Sequence, residues 1–122
     1  MPTFVLTYRP PMDYQAGTPE GMAAWDAWFQ SMGADLLDIG RPVGESIVVG
    51  DCGSDVRRLG GYSLIRADDL AAASSVAKGC PFVGAGGGVE VGLLVDLPAH
   101  PPLLDSAPGR TRDRHIYTAG PW

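Results

Sequence analysis

The chain has 122 residues, 45% of them hydrophobic and 19% charged, the composition of one globular domain able to bury its own core. A net charge of −5 argues against a nucleic-acid binder, and the arginines form no stripe, with Arg57 and Arg58 adjacent and Arg110, Arg112 and Arg114 grouped near the end. Two cysteines, Cys52 and Cys80, are too few for a disulfide scaffold and share no metal-ligand spacing, and the longest apolar runs are too short to span a bilayer.

The opening "MPTFVLTYRPP" has no charged leader, long apolar core or cleavage site, so a soluble cytoplasmic protein with no membrane partner is expected. Within it, residues 3–9, "TFVLTYR", alternate Phe4, Leu6 and Tyr8 against Val5 and read as a strand. Pro10 and Pro11 end it, because proline has no amide hydrogen for a ladder. Residues 18–33 carry a full set of helix signals: Thr18 as N-cap, Pro19 at the first position, Glu20 in the first turn and Gly33 as the stop. Met22, Trp25, Trp28 or Phe29, and Met32 recur along it at helical spacing. A turn-rich segment, "ADLLDIGRPVGE", leads to "SIVVG" (46–50), which reads as a short second strand. A loop or hairpin over "DCGSDVRRLGG" separates it from a third strand, "GYSLIRA" (61–67). A second helix follows, capped by Asp69 or Asp68, with Leu70, Ala73 and Ala77 as its apolar stripe and Gly79 as its stop. "VEVGLLVDL" (89–97) is the fourth strand, with Val89, Val91, Leu93 and Val95 on one face.

Between that helix and strand stands "CPFVGAGGGVEVG", whose three consecutive glycines invite a phosphate-loop reading. A phosphate loop leaves a strand and opens a helix, so that helix amides point at the anion. This one leaves a helix and enters a strand, and reads as a flexible connection.

The predicted order is β-α-β-β-α-β, an α+β ferredoxin-like protomer with a four-stranded antiparallel sheet and two helices on one face. Residues 1–97 form that domain. Residues 98–122 hold five prolines and no periodicity, and are expected to be an extended or partly disordered tail, with Ile116, Tyr117 and Trp122 able to dock. Two helices cover one face of such a sheet, yet Val5, Leu94 and one of Leu64 or Ile65 point to the other. A homodimer is expected to cover it, the tail being the competing cover.

The run "LGGYSLIRADDLAAASSVAKGCPFVGAGGGVEV" resembles the YCII-related, or DGPF-domain, family. The resemblance rests on Gly60-Gly61-Tyr62 at a strand entry, a capped alanine-rich helix, Pro81, and a glycine loop entering Val89-Glu90-Val91. It extends over residues 3 to about 97. It implies a dimeric α/β barrel, within a superfamily of cofactor-independent monooxygenases, muconolactone isomerases and dehydrochlorinases. Some members are described with a His–Asp catalytic pair; here the only histidines, His100 and His115, lie in the tail. The Asp-Gly-Pro-Phe motif is reduced to "DCGS", where Asp51 alone carries over.

Asp51, at a strand end, is a candidate general base if burial lifts its pKa, or else a turn-forming residue. Asp38 is a second candidate base that stands near Arg41. Tyr8 and Arg9 close the first strand and offer a hydrogen-bond donor and a cation suited to a small carboxylate or enolate, against an edge tyrosine with a solvated arginine. Tyr62 has the same ambiguity. Trp25 and Trp28 are core residues or the apolar lining of a ligand pocket between helix and sheet. Cys52 and Cys80 read as plain thiols, and Glu90, among valines, needs a cationic partner.

The leading expectation is a small protein that binds an organic metabolite in a helix–sheet pocket, with cofactor-independent acid–base chemistry of the isomerase or lyase type and no metal. Asp51, Asp38 and Tyr62 would then act on substrate held by Tyr8, Arg9, Trp25 and Trp28. The alternative, favoured by the missing histidine, is a non-catalytic ligand-binding or regulatory module, linked by the resemblance to transcription regulation. A third is a scaffold dimer that anchors another protein through Tyr117 and Trp122.

Overall fold

The computed structural model describes residues 1–53 and 58–97. The tail expected over 98–122, with its histidines, arginines and docking residues, lies outside the described residues, as does Arg57. Strand β1 spans Thr3–Arg9, helix α1 Pro19–Met32, strand β2 Leu36–Pro42, strand β3 Gly61–Arg66, helix α2 Leu70–Ala77 and strand β4 Gly88–Leu93. The strands form one antiparallel sheet in the order β2-β3-β1-β4, an α+β arrangement with β1 and β3 central.

Helix α1 begins and ends where its caps dictate. Thr18 is extended and its Oγ1 accepts from the Gly21 amide at 3.1 Å, while Gly33 leaves the helix at φ 58°, a left-handed value that glycine adopts without penalty. Its buried face is Trp25, Trp28, Phe29 and Met32. Met22, expected on the same stripe, sits in the first turn outside this aromatic cluster and is 48% exposed. Asp69 caps α2 by accepting from the Ala72 amide at 2.8 Å. Ala73 and Ala77 are buried, but Leu70 is 54% exposed and leaves the expected stripe. The small alanine face lets α2 approach closely, and Trp28 Nε1 donates to the Val76 carbonyl at 3.1 Å, tying the two helices together.

Both helices pack on the sheet face carrying Phe4, Leu6, Tyr8, Ser63 and Ile65. The other face carries Val5, Thr7 and Arg9 of β1 with Tyr62 and Leu64 of β3, all half-buried, as strand alternation requires.

The second strand is not where the sequence places it. "SIVVG" forms no strand; the edge beside β3 is taken by Leu36–Pro42 instead. The reason lies at Gly40, whose φ is 72° and where a Cβ would fall 1.8 Å from the Tyr62 carbonyl oxygen. Only glycine allows that approach, and the pairing shifts register on both sides of Asp38, a bulge that a linear reading takes for a turn. Strand β4 also ends at Leu93 rather than at residue 97. One further ladder contact, Leu94 N–H to the Thr3 carbonyl at 3.0 Å, closes it.

The glycine loop behaves as a connection. Gly84 and Gly86 have φ of 86° and 98°, and a Cβ on Gly87 would lie 2.4 Å from the Arg9 carbonyl oxygen, so the bare backbone is what seats β4 beside β1. Among the described residues no helix is long and apolar enough to cross a membrane.

Candidate functional site

The residues expected to share one site are divided between the two faces of the sheet. Tyr8, Trp25 and Trp28 are on the covered face. Tyr8 is fully buried, and its Oη donates to Ser63 Oγ at 2.8 Å, which in turn donates to the Ile39 carbonyl at 2.6 Å. Its ring meets Trp25 and Trp28 edge-on at centroid distances of 4.9 and 5.9 Å. Burial holds its pKa well above the ordinary 10.0, so the phenol stays protonated and is a core hydrogen bonder. Trp25 packs against Phe82 and Phe29 as well. The space between α1 and the sheet, where a ligand pocket was expected, is occupied by these rings.

The two candidate bases serve their own loops. Asp51 Oδ1 accepts from the Gly53 amide at 2.9 Å on an exposed loop, and Asp38 Oδ1 accepts from the Gly40 amide at 2.8 Å inside the β2 bulge. Tyr62 is half-buried on the open face, in register with Thr7 and Arg41. Cys80 is buried, which pushes its thiol up to about 11, and Cys52 is exposed. Among the described residues no group of three or more His, Cys, Asp or Glu is placed to hold a metal ion.

Of the expected site residues, Arg9 and Trp28 reach cavities, and Arg9 does so on the open face. It ends β1 on the open face, at the margin of a groove of about 940 Å³. The apolar wall is Ile47, Val48, Val49 and Leu59; the charged groups are Arg9, Arg58 and Glu90, and Val89, whose side chain packs on the covered face, borders it through its backbone. Ser46, Cys52, Gly87 and Gly88 complete the described lining. Arg9 Nη2 stands 3.6 Å from Glu90 Oε1, the cationic partner that Glu90 required. Gly88 lies directly across the ladder from Arg9, and Glu90 is two residues further along β4 on the same face. The guanidinium therefore crosses a position with no side chain before meeting an acid. Arg58 reaches the Val43 carbonyl at 3.5 Å, the outer limit of a hydrogen bond.

A second cleft, of about 330 Å³, lies between α1 and α2 around Trp28, Met32 and Val76. Its cation, Arg66, is held by Asp35 at 3.0 Å.

Sequence reasoning missed Ile47, Val48, Val49, Arg58 and Gly88 as site residues. The run of β-branched residues was visible but read as a strand. Gly88 carries meaning only through its register with Arg9. The chain matches no family model, no curated protein and no solved structure.

Proposed function

We propose that this protein binds a small organic molecule in the groove beside Arg9, without catalysing its conversion. The observation that carries this is the groove itself: a concavity of about 940 Å³ with an apolar wall and a few convergent charges, the composition of a small-molecule site. The acid–base alternative rests on Asp38 and Asp51, which are engaged by backbone amides of their own loops and are not among the groove's described lining. Strand order β2-β3-β1-β4, with helices between its first and last pairs of strands in sequence, supports reading the protomer as ferredoxin-like, the frame that the YCII-related resemblance implies. Half-buried Val5 and Leu64 on the open face, with exposed Leu94, Val95 and Leu97 beyond β4, favour a homodimer that covers the end of this face away from Arg9 and leaves the groove open.

The test is a thermal-shift screen of a metabolite library against the wild type and Gly88→Leu, which fills the groove. A ligand at 100 times its Kd stabilises the folded state by about 2.7 kcal/mol, a shift of several degrees. The expected result is compounds that stabilise the wild type and not the variant. A library that moves neither protein, or both equally, removes the groove as the site.

A further inference from the structure

We infer that the ligand is an apolar monocarboxylate, whose carboxylate takes the place of Glu90 on Arg9 and whose hydrocarbon body lies over Gly88 against Val48 and Val49. This inference rests on the binding reading above and names the ligand's chemical class.

Charge is the first ground. The described lining holds two arginines and one glutamate, a net +1 within a chain of net charge −5. The Arg9–Glu90 contact is a single nitrogen facing a single oxygen at 3.6 Å, longer than the roughly 2.7–2.9 Å of a charge-assisted hydrogen bond. The Arg9 side chain is 29% exposed and that of Glu90 76%, so the acid is the solvated member and can turn into water at little cost. A ligand carboxylate that enters the groove can meet the guanidinium fork with both oxygens, a geometry that the strand-bound Glu90 does not adopt here.

The second ground is the vacancy at Gly88. Its backbone is outside the left-handed region, and a Cβ built there would meet nothing within 4 Å. Neither strain nor packing asks for glycine, in contrast to Gly87 beside it. The missing side chain instead leaves the groove floor bare directly opposite Arg9. The third ground is Ile47, Val48 and Val49, consecutive β-branched residues held 86%, 59% and 82% exposed along the groove wall. Such a run gains by covering itself with hydrocarbon. A lone anion would leave that wall wet, and a neutral hydrocarbon would leave Arg9 paired only to a distant acid.

The experiment is a titration of the whole chain with octanoate, octanamide and acetate, followed by the amide resonances of Gly88 and Val89. Octanoate should shift them and bind about tenfold or more tighter than octanamide, the worth of a hydrogen bond to a charged group. Acetate, which lacks the body, should bind weakest. Glu90→Gln removes the competing acid and should tighten octanoate by about threefold while leaving octanamide unchanged. Gly88→Leu should weaken octanoate and octanamide alike. Octanamide binding as tightly as octanoate overturns the carboxylate and leaves the binding reading standing. Octanoate failing to shift Gly88 and Val89, while another library compound does so, overturns the ligand class. Failure of every compound to shift them removes the site itself. The ligands are compared on the wild type, so the outcome does not depend on a variant that fails to fold.

Discussion

Tyr8 Oη donates to Ser63 Oγ across the two central strands at 2.8 Å, and Ser63 Oγ in turn donates a hydrogen bond to the Ile39 carbonyl at 2.6 Å. This relay links β1, β3 and β2, including the irregular part of β2, where the pairing shifts register. Its two side chains are not equivalent. Tyr8→Phe removes one donor and leaves Ser63 on Ile39, so it should cost about 1 kcal/mol. Ser63→Ala strips the acceptor from buried Tyr8 and the donor from the half-buried Ile39 carbonyl, and should cost about 2–3 kcal/mol. Urea denaturation of both variants checks the order; a Tyr8→Phe loss larger than that of Ser63→Ala contradicts the relay.

The buried thiol and phenol make stability depend on alkaline pH. Cys80 is held at about 11 against an ordinary 9.0, and Tyr8 is raised above 10.0, both chiefly by burial. Each group is neutral when protonated, so the unfolded chain loses its proton first as pH rises. Fewer protons on the unfolded state mean that stability is intact below pH 9 and falls as pH climbs through 9 to 11. Cys80 accounts for about 2 kcal/mol of that fall, with Tyr8 adding to it above pH 10. Urea midpoints from pH 8 to 11 should decline for the wild type. The decline should be shallower for Cys80→Ala, with the remaining slope at the upper end.

Glycines at three positions should respond differently to alanine. Gly40 is left-handed and a Cβ there overlaps the Tyr62 carbonyl, so Gly40→Ala should cost about 3 kcal/mol or more and disrupt β2. Gly33, at φ 58° and ψ −131°, has open space around it, so the conformational penalty alone applies, about 1–3 kcal/mol. Gly88 has neither strain nor a neighbour, and Gly88→Ala should be neutral or stabilise by about 0.5 kcal/mol. Thermal denaturation of the three variants gives the ranking directly. A destabilising Gly88→Ala would mean that the position serves packing rather than the groove.

These glycines also mark how far the sequence could be read. Elements with a strong period and explicit caps were legible: β1 by alternation, α1 and α2 by Thr18, Pro19, Gly33 and Asp69, and β3 by its Gly61 entry. Strand β2 was not, because its pairing with β3 depends on a glycine bulge whose justification is the Tyr62 backbone, distant in sequence. The apolar run Ile47–Val49 has strand composition but no partner, since the edge of β3 is already taken. For the site, Arg9 was legible as a cation at a strand end. Tyr8, its neighbour, points to the opposite face by the same alternation that made the strand recognisable, which separates two residues that adjacency had joined. Whether Trp25 and Trp28 line a pocket or fill a core depends on ring packing that no spacing reveals.

The open face bears on the oligomer. Leu64 stands at the centre of that face, in register with Val5 on one side and Asp38 on the other, and is half-buried in the single chain. The proposed homodimer would bury it against a second copy, where a carboxylate could find neither water nor a cation. Leu64→Glu should therefore convert a dimer into a monomer at micromolar concentration. The covered face, built from Ser63 and Ile65 on either side of it, is untouched, so the monomer should keep a cooperative unfolding transition. Sedimentation velocity of the wild type and variant reads the first outcome and circular dichroism the second. A wild type that sediments as a monomer removes the dimer, and so does a Leu64→Glu chain that remains dimeric.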